Sequence, residues 1–225
     1  MSNTLMAGKR GLIMGLANDK SIAWGIAKSC AEAGAELAFS YQGEALKKRV
    51  APLAAELGSD IVLPCDVADM ASIDRLFDDL GQHWDGLDFI VHAIGFSDKS
   101  ELRGRYVDTS RENFLRTMDI SVYSFTAVMQ RAEKMMNAGG SALTLTYYGA
   151  EQVMPHYNGD FRYILKWNEL NSPLRRNVTI DDVGKSALYM LSDLGSGTTG
   201  ETLHVDAGYH IVGMKAVDAP DIDAT

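Results

Sequence analysis

The stretch Leu12–Gly25, which reads LIMGLANDKSIAWG, decides the fold of this chain. Its first three residues are apolar and end at Gly15, and apolar side chains then recur every three or four residues until Gly34. A short apolar run, a glycine turn and an amphipathic segment are typical of a strand, a loop and a helix in that order. The sequence therefore predicts a β-loop-α unit here.

The same alternation continues along the chain. Further strands are predicted at 37–41, 61–65, 87–94, 142–146 and 202–205. Helices are predicted at 44–57, 73–80, 161–170 and 181–191, together with one long helix from about 108, where Thr109 and Glu112 have capping-box spacing, to Gly139–Gly140. Alternating strands and helices predict an α/β, Rossmann-like doubly wound parallel sheet, here in a single domain spanning residues 1–225. In such sheets ligands bind beyond the carboxyl ends of the strands.

The regular alternation of strand and helix patterns stops between Tyr148 and Glu201. Two helical patterns occur in this interval, but no convincing strand pattern precedes 202–205. A βαβ unit needs roughly 30 residues. The chain therefore lacks about one helix and one strand relative to the alternation that it keeps elsewhere.

The composition is typical of a globular protein. Apolar residues make up 46% and charged residues 23% of the 225, which are ordinary globular proportions, and no run approaches the ~20 apolar residues of a membrane span. The first residues lack the apolar core of a secretory signal, and the two cysteines, Cys30 and Cys65, favour a reduced cytoplasmic location. The net charge of −9 disfavours nucleic acid and favours small-molecule ligands.

Two segments could contact a dinucleotide. The loop from Gly15 to Ser21 opens a predicted helix, so its backbone N–H groups could approach a pyrophosphate, with Ser21 as N-cap and phosphate donor. The loop is not GxGxxG, and a turn glycine with a capping serine is an equal interpretation. Gln42 follows the second strand, where a neutral amide can bind an adenosine. The basic residues at 47–49 are typical of a solvated helix face. NADH is therefore favoured over NADPH.

The remaining candidates lie after later strands. Asp66 ends the third strand and could accept a hydrogen bond from an adenine amino group, or could cap the next helix. Tyr147 and Tyr157 follow the fifth strand, where a phenol could stabilise an oxyanion, although lone tyrosines usually pack. His92 is expected to be a satisfied core histidine, and Cys65 a small core residue without chemistry. No histidine spacing typical of a metal site is present.

Together these motifs resemble a known family. The segments GLANDKSIAWG at 15–25, SYQ at 40–42, CDV at 65–67, HAIGF at 92–96 and LTYYG at 145–149, with His156-Tyr157, are similar to the bacterial NADH-dependent enoyl-[acyl-carrier-protein] reductases, a branch of the short-chain dehydrogenase/reductases. The likeness covers nearly the whole chain. It implies a seven-stranded Rossmann fold, a homotetramer, and reduction of trans-2-enoyl thioesters in type II fatty acid synthesis.

The resemblance also implies roles for single residues. Contacts to NADH are implied for Gly15, Ser21, Ile22, Gln42, Asp66, Val67, Ile94 and Gly95, and Ser97 is implied to lie near the acyl substrate. Tyr157 is similar to the tyrosine that hydrogen-bonds the thioester oxygen, and Tyr147 matches the second active-site tyrosine. Hydride transfer to the β-carbon, stabilisation of the enolate and protonation of the α-carbon would follow.

The chain departs from the family pattern at one place. The family has a lysine six residues after the second tyrosine, and position 163 here is Tyr163. We place the missing segment, with the lysine helix and the sixth strand, between Asn158 and Gly159. Either the written chain omits these residues or the protein lacks them. Omission is favoured, because removing an interior strand would leave backbone groups and apolar surface uncovered.

Other functions remain open. A short-chain carbonyl reductase would use the same cofactor but ignore enoyl thioesters, and an NAD-binding non-catalytic protein would fit a chain that truly lacks the lysine helix. If the chain is an enoyl reductase, it needs a basic surface patch on which the acidic acyl carrier protein can dock. Arg162 and Lys166, with Arg175 and Arg176 after them, are the candidates, although an ordinary solvated face is an equal interpretation.

Overall fold

The computed structural model describes residues 4–102, 105–147 and 161–220. Its strands are β1 (Arg10–Met14), β2 (Glu36–Tyr41), β3 (Val62–Pro64), β4 (Leu87–His92) and β5 (Met136–Thr144). Its helices are α1 (Ile22–Glu32), α2 (Gly43–Glu56), α3 (Met70–Leu80), α4 (Arg111–Met118), α5 (Ser124–Ala132), α6 (Phe161–Asn171) and α7 (Ile180–Leu191), with a π-helical turn at Asp119–Tyr123 between α4 and α5. No helix in the described ranges combines the length and the apolar character of a membrane span.

The five strands form one parallel sheet in the order β3-β2-β1-β4-β5. The order reverses direction at β1, which starts the chain in the middle of the sheet and defines a doubly wound fold. Successive residues of β1 face opposite sides of the sheet, so Ile13 packs under α1, α2 and α7 while Leu12 packs under α3 and α5. The predicted Rossmann-like α/β fold is confirmed.

Glycine allows two close contacts between neighbouring elements of this fold. Gly11 pairs with Phe89 across β1 and β4, and a Cβ on Gly11 would lie 2.0 Å from the Phe89 ring. Gly25 of α1 and Gly184 of α7 face one another, and a Cβ on Gly184 would lie 2.3 Å from the Gly25 carbonyl oxygen. The two helices can therefore pack backbone to backbone, which fixes the position of the start of α1.

The long helix begins within the predicted range 108–112, but its cap, its continuity and its end differ from the prediction. It starts at Arg111, because Ser110 rather than Thr109 is the N-cap and accepts a hydrogen bond from the backbone N–H of Asn113 at 3.1 Å. It contains the π-helical turn, and it ends at Ala132. Gly139 and Gly140, expected to end it, belong to β5, which pairs with β4 through an irregular register. Glycine breaks helices but is tolerated where a strand is irregular.

The predicted strand at 202–205 is also wrong, and the implied seven strands are five within the described ranges. Residues 202–205 lie beside the free edge of β5 without pairing with it. A strand needs a partner for its backbone groups, and none is adjacent to this segment among the strands that the structure describes.

Candidate active site

The carboxyl edge of the sheet gathers most of the predicted site residues. Gly15 directly follows β1 with a φ of 95°, a left-handed conformation that favours glycine. A Cβ at this position would lie 2.0 Å from the carbonyl oxygen of Ala93. The loop after β1 can therefore lie directly against the chain leaving β4 only because residue 15 has no side chain.

Ser21 occupies the N-cap position of α1, as predicted, but its side chain makes no capping hydrogen bond. Its hydroxyl donates to the carbonyl oxygen of Asn18, within the loop itself. The next residue, Ile22, is a partly exposed apolar side chain at the start of α1. Because the first N–H groups of a helix have no partner inside it, α1 presents uncapped donors beside this loop.

Gln42 and Asp66 meet across the ends of β2 and β3. The Gln42 amide donates to Asp66 Oδ2 at 3.0 Å, and Asp66 Oδ1 accepts from the backbone N–H of Ala68 at 3.0 Å. The alternative that Asp66 caps the following helix is wrong, because Asp69 is the N-cap of α3 and accepts from Ala71. Val67, beside this pair, is buried.

The segment after β4 is held by the long helical unit. Ile94 is half-buried, Gly95 is exposed, and the space around a Cβ on Gly95 is open to 4 Å. The backbone N–H of Phe96 donates to the hydroxyl of Ser121 in the π-helical turn at 3.0 Å. A π-helical turn shifts the side chains that follow it relative to a regular helix. Sequence patterns did not reveal Ser121, because nothing in its neighbours signals a π turn.

Ser97 is half-buried, and its hydroxyl oxygen lies 3.3 Å from Asn113 Nδ2 and 3.2 Å from Thr117 Oγ1. Asn113 also accepts the backbone N–H of Asp98 at 3.0 Å. Glu101 accepts hydrogen bonds from Ser110 and Asn113, and the bonds from Ser110 hold the pKa of this carboxyl below its usual range. These bonds tie residues 97–101 to α4. The predicted contact of Ser97 with substrate stays a prediction.

His92 is a satisfied core histidine, as predicted. The side chain is fully buried, and burial lowers its pKa below 6.5. Its Nε2 lies 2.8 Å from the hydroxyl of Ser124, which donates its own proton to the carbonyl of Ile120 at 2.6 Å. Its Nδ1 lies 3.3 Å from the hydroxyl of Thr144, so both ring nitrogens have a polar partner. Its ring also contacts Phe125 edge-on, at 5.6 Å between centroids.

The two cysteines take no part in the site. Burial raises the pKa of Cys30 and of Cys65 to about 12, so both are protonated thiols near neutral pH. Both are free and buried. A thiol is nucleophilic only as the thiolate, so the interpretation of Cys65 as a small core residue is confirmed.

The structure describes one of the two predicted tyrosines. Tyr147 follows β5, is more than half exposed, and lines a large cleft that also reaches Ile22. Tyr157 lies outside the described residues, as do Asn158 and Gly159. The geometry between the two phenols is therefore not part of the site described here.

The predicted basic patch is largely neutralised. Lys166 pairs with Glu169 at 3.0 Å, and Arg175 pairs with Asp218 at 2.7 Å. Arg176 binds both carboxylate oxygens of Asp182, which together with the Thr179 cap lowers the pKa of Asp182. The side chain of Arg162 lies outside the described part. These ion pairs leave little of the uncompensated positive charge that the docking hypothesis requires.

Comparison with known sequences identifies a family. The profile of the family described as Enoyl-(Acyl carrier protein) reductase matches residues 15–159 and, separately, residues 158–210. The match is thus in two pieces that meet at residues 158–159. In the first piece lie all the segments described above at the ends of β1 to β5.

Relatives match over nearly their whole length. Enoyl-[acyl-carrier-protein] reductase [NADH] 1 of Rhizobium meliloti is 59% identical, covering 97% of this chain and 96% of the relative. The enzyme of that type from Escherichia coli is 41% identical, covering 95% and 98%. The alignment with the Rhizobium protein spans 261 positions against 225 residues here, so at least 36 of its positions have no counterpart in this chain.

A solved structure agrees closely. The enoyl-(acyl-carrier-protein) reductase from Anaplasma phagocytophilum, crystallised in complex with NAD, superimposes with a TM-score of 0.93 and 56% sequence identity. The superposition covers 97% of this chain and 98% of that one. The described sheet therefore has the arrangement found in that enzyme.

Proposed function

This chain belongs to the enoyl-(acyl carrier protein) reductase family, and we propose that it uses NADH to reduce trans-2-enoyl thioesters of acyl carrier protein to saturated acyl thioesters in type II fatty acid biosynthesis. The activity is that of an oxidoreductase acting on CH–CH bonds. The observation that carries this proposal is the group of Gly15, Ser21, Gln42, Asp66 and Gly95 at one edge of the sheet. We infer that these residues line a dinucleotide crevice, because doubly wound sheets bind such ligands at the carboxyl ends of their strands.

The crevice suits NADH. Asp66 can accept from an adenine amino group, and Gln42, oriented by its bond to Asp66, can bind the adenosine. The uncapped start of α1 and the Ser21 hydroxyl suit a pyrophosphate, and the open space at Gly95 admits a ring close to the backbone. Val67 and Ile94 supply apolar walls. When bound, the cofactor supplies the hydride that reduces the β-carbon.

The catalytic roles fall to the chain leaving β5. Tyr157 would stabilise the enolate oxygen, with Tyr147 beside it, and Ser97 would lie near the acyl chain. A phenol with an unperturbed pKa near ~10 needs a nearby cation or dipole for this role. The family's lysine lies six residues after this tyrosine, at a position that falls in the segment we place between Asn158 and Gly159, and residue 163 of this chain is Tyr163. We infer that this chain has the residues for cofactor binding but not that lysine.

That missing lysine favours a second candidate function, an NAD-binding protein without turnover.

We propose that the chain forms one reductase domain over residues 1–225 and that a segment is missing between Asn158 and Gly159. The two-piece family match and the 36 or more unfilled positions support this placement. An intact mass of 24.5 kDa for the protein purified from its natural host would mean true loss. A mass several kilodaltons higher would mean that the protein carries the segment.

We further propose a cytoplasmic homotetramer. Phe114, Leu115, Met118, Val122 and Tyr123 follow one another along α4 and the π-helical turn, and each is between 41% and 53% exposed. An apolar stripe of this size on one helical unit is typical of a subunit contact. Changing Met118 and Val122 to aspartate should yield monomers in light-scattering measurements, whereas the Ala45→Asp variant on α2 should not change the assembly.

Activity is tested by NADH oxidation, followed at roughly 340 nm, the nicotinamide absorption band. Crotonyl thioester should be reduced and simple ketones should not. The Asp66→Ala variant should weaken NADH binding about tenfold, through loss of one charge-assisted hydrogen bond of ~1.4 kcal/mol. Asp78→Ala, an exposed change on α3, is the matched control.

A chimaera distinguishes the reductase from the NAD-binding protein without turnover. Inserting the unmatched stretch of the Rhizobium protein between Asn158 and Gly159 should raise turnover strongly if the crevice belongs to a reductase. NADH binding without turnover in the native chain, followed by turnover in the chimaera, would identify the native chain as a non-catalytic binder. Absence of NADH binding in both proteins would contradict both candidates.

A further inference from the structure

The cofactor crevice has two sides, one on each side of β1. Gln42 and Asp66, which we expect to bind adenosine, follow β2 and β3 on one side. A dinucleotide in a doubly wound sheet lies across the strand where the order reverses, which is β1 here. The half of the cofactor that carries the nicotinamide would therefore lie on the other side, where residues 94–96 leave β4.

Gly95 leaves the backbone open at this second side but restricts it little. A Cβ on Gly95 would meet no described atom within 4 Å. Glycine lacks the side chain that limits φ and ψ in other residues, so the direction of its carbonyl needs support from elsewhere. The carbonyl of Gly95 and the N–H of Phe96 belong to one planar peptide unit. A bond that holds the Phe96 N–H therefore also fixes the Gly95 carbonyl.

Ser121 supplies such a bond from a distant part of the chain. Its hydroxyl accepts the N–H of Phe96 at 3.0 Å and donates to the carbonyl of Phe96 at 3.2 Å. One side chain thus binds both backbone polar groups of one residue. The ring of Phe96 is held as well, because the Arg116 guanidinium lies 4.6 Å from its centroid. Both the backbone and the ring of Phe96 are tied to α4 and the π-helical turn.

Buried hydrogen bonds hold the π-helical turn that carries Ser121. The backbone N–H of Ser124 donates to the carbonyl of Asp119, five residues back, as in a π-helix. The carbonyl of Ile120, which this N–H would bind in an α-helix, accepts the Ser124 hydroxyl at 2.6 Å. His92 of β4 lies 2.8 Å from that hydroxyl, and both side chains are fully buried. The strand that leads to Gly95 therefore also fixes the turn.

We propose that Ser121 is a positioning residue for the nicotinamide half of the cofactor. Its hydroxyl fixes the peptide unit between Gly95 and Phe96, on which this half of the ligand rests, while His92 and Ser124 hold the turn that presents the hydroxyl. Ser121 acts through the backbone and needs no contact with the cofactor. The role rests on the proposed binding of NADH, and it predicts that the two halves of the cofactor respond differently to the loss of one hydroxyl.

Calorimetric titration of the full chain with two ligands tests this role. NADH spans both sides of the crevice, whereas ADP ends at the pyrophosphate. Ser121→Ala should weaken NADH binding about tenfold, through the lost hydrogen bonds, and change ADP binding less than about twofold. Ser121→Thr keeps the hydroxyl and should restore NADH affinity. Thr126→Ala removes an exposed hydroxyl from α5, so this matched control should bind both ligands as the parent does.

Amide hydrogen exchange, resolved to single residues by mass spectrometry, tests the same bonds without a ligand. The Phe96 N–H should exchange at least about tenfold faster in Ser121→Ala than in the parent and at the parent rate in Ser121→Thr. Ser124→Ala, which removes the donor to the Ile120 carbonyl, should also raise the Phe96 rate. The Ile13 amide, in the middle of the sheet, is the internal reference for global unfolding and should keep its rate in both Ser121 variants.

Four results would overturn the role of Ser121. They are equal NADH affinity in Ser121→Ala and the parent, equal loss of NADH and ADP affinity, failure of Ser121→Thr to restore binding, and unchanged exchange of Phe96 in Ser121→Ala. The second result would indicate general damage to the crevice. A parent protein that binds neither NADH nor ADP would overturn the proposed function together with this role, and so differs from the first result, in which the parent binds NADH.

Discussion

The two ends of the sheet differ in how completely they are built. On one side, β1, β2 and β4 are buried and paired on both edges, and their carboxyl ends hold Gly15, Gln42 and Gly95. On the other side, β5 is largely exposed and borders a cleft of about 1020 Å³. Within the described residues, the strands that would hold the cofactor are paired on both edges, except β3, whereas β5 is paired on one edge.

This difference indicates that the two tasks depend on different packing. The crevice residues follow strands whose side chains fill two continuous apolar layers, and β5 contributes Leu143 at the margin of one layer. The tyrosines follow β5, whose outer edge pairs with no strand among the described residues. We therefore expect cofactor binding to survive changes near β5 that would abolish turnover.

The largest expected effect is a difference in lost stability between substitutions in the two halves of the sheet. Leu12 is fully buried in β1, so Leu12→Ala should lower the free energy of unfolding by about 2–5 kcal/mol, through lost burial and the cavity left behind. Leu145 is half-buried beside the open cleft, so Leu145→Ala should cost below about 1 kcal/mol. Urea unfolding of both variants measures the contrast. Equal losses would show that the β5 side is as well packed as the centre.

A second change tests the turn that builds the crevice. Gly15→Ala should lose about 1–2 kcal/mol through the left-handed backbone, and about 1–3 kcal/mol more through collision with Ala93. NADH binding should weaken together with stability. Gly197→Ala is the control, because a Cβ there meets no atom within 4 Å, and it should change stability by less than about 0.5 kcal/mol. A stable Gly15→Ala protein with unchanged NADH affinity would contradict the role given to this turn.

The smallest effect concerns pH and the buried histidine between the halves. The pKa of His92 is lowered by burial, so the unfolded chain takes up a proton near pH 6.5 that the folded chain does not. Stability should therefore fall as pH drops below 6.5, by at most about 1.4 kcal/mol per pH unit for this one proton, until the folded pKa is reached.

His92→Gln should flatten that part of the stability curve, measured by urea unfolding between pH 8 and pH 5, roughly the range over which a histidine titrates. His83→Gln, at an exposed histidine, is the matched control and should leave the slope unchanged. A slope that is identical in the His92 variant and the parent would contradict a lowered pKa of His92 in the folded protein.

The sequence predicted local units well wherever a pattern repeats. The glycine turn at residue 15, the burial of His92 and the spans of α1, α2 and α7 follow from apolar periodicity and from single residues that restrict the backbone. It was less reliable where two signals compete. Thr109 and Ser110 are both acceptable caps, and Gly139–Gly140 suits a helix end as well as an irregular strand.

What the sequence by itself determined was the alternation of strands and helices and the residues at the strand ends. Only the tertiary structure decided that Gln42 bonds to Asp66, that Ser121 of the π-helical turn holds Phe96, and that residues 202–205 are not a strand. The physical reason is that periodicity is a property of neighbours in the chain. Pairing depends on which backbone or side chain arrives from elsewhere, and beside β5 none arrives from the described parts of the chain.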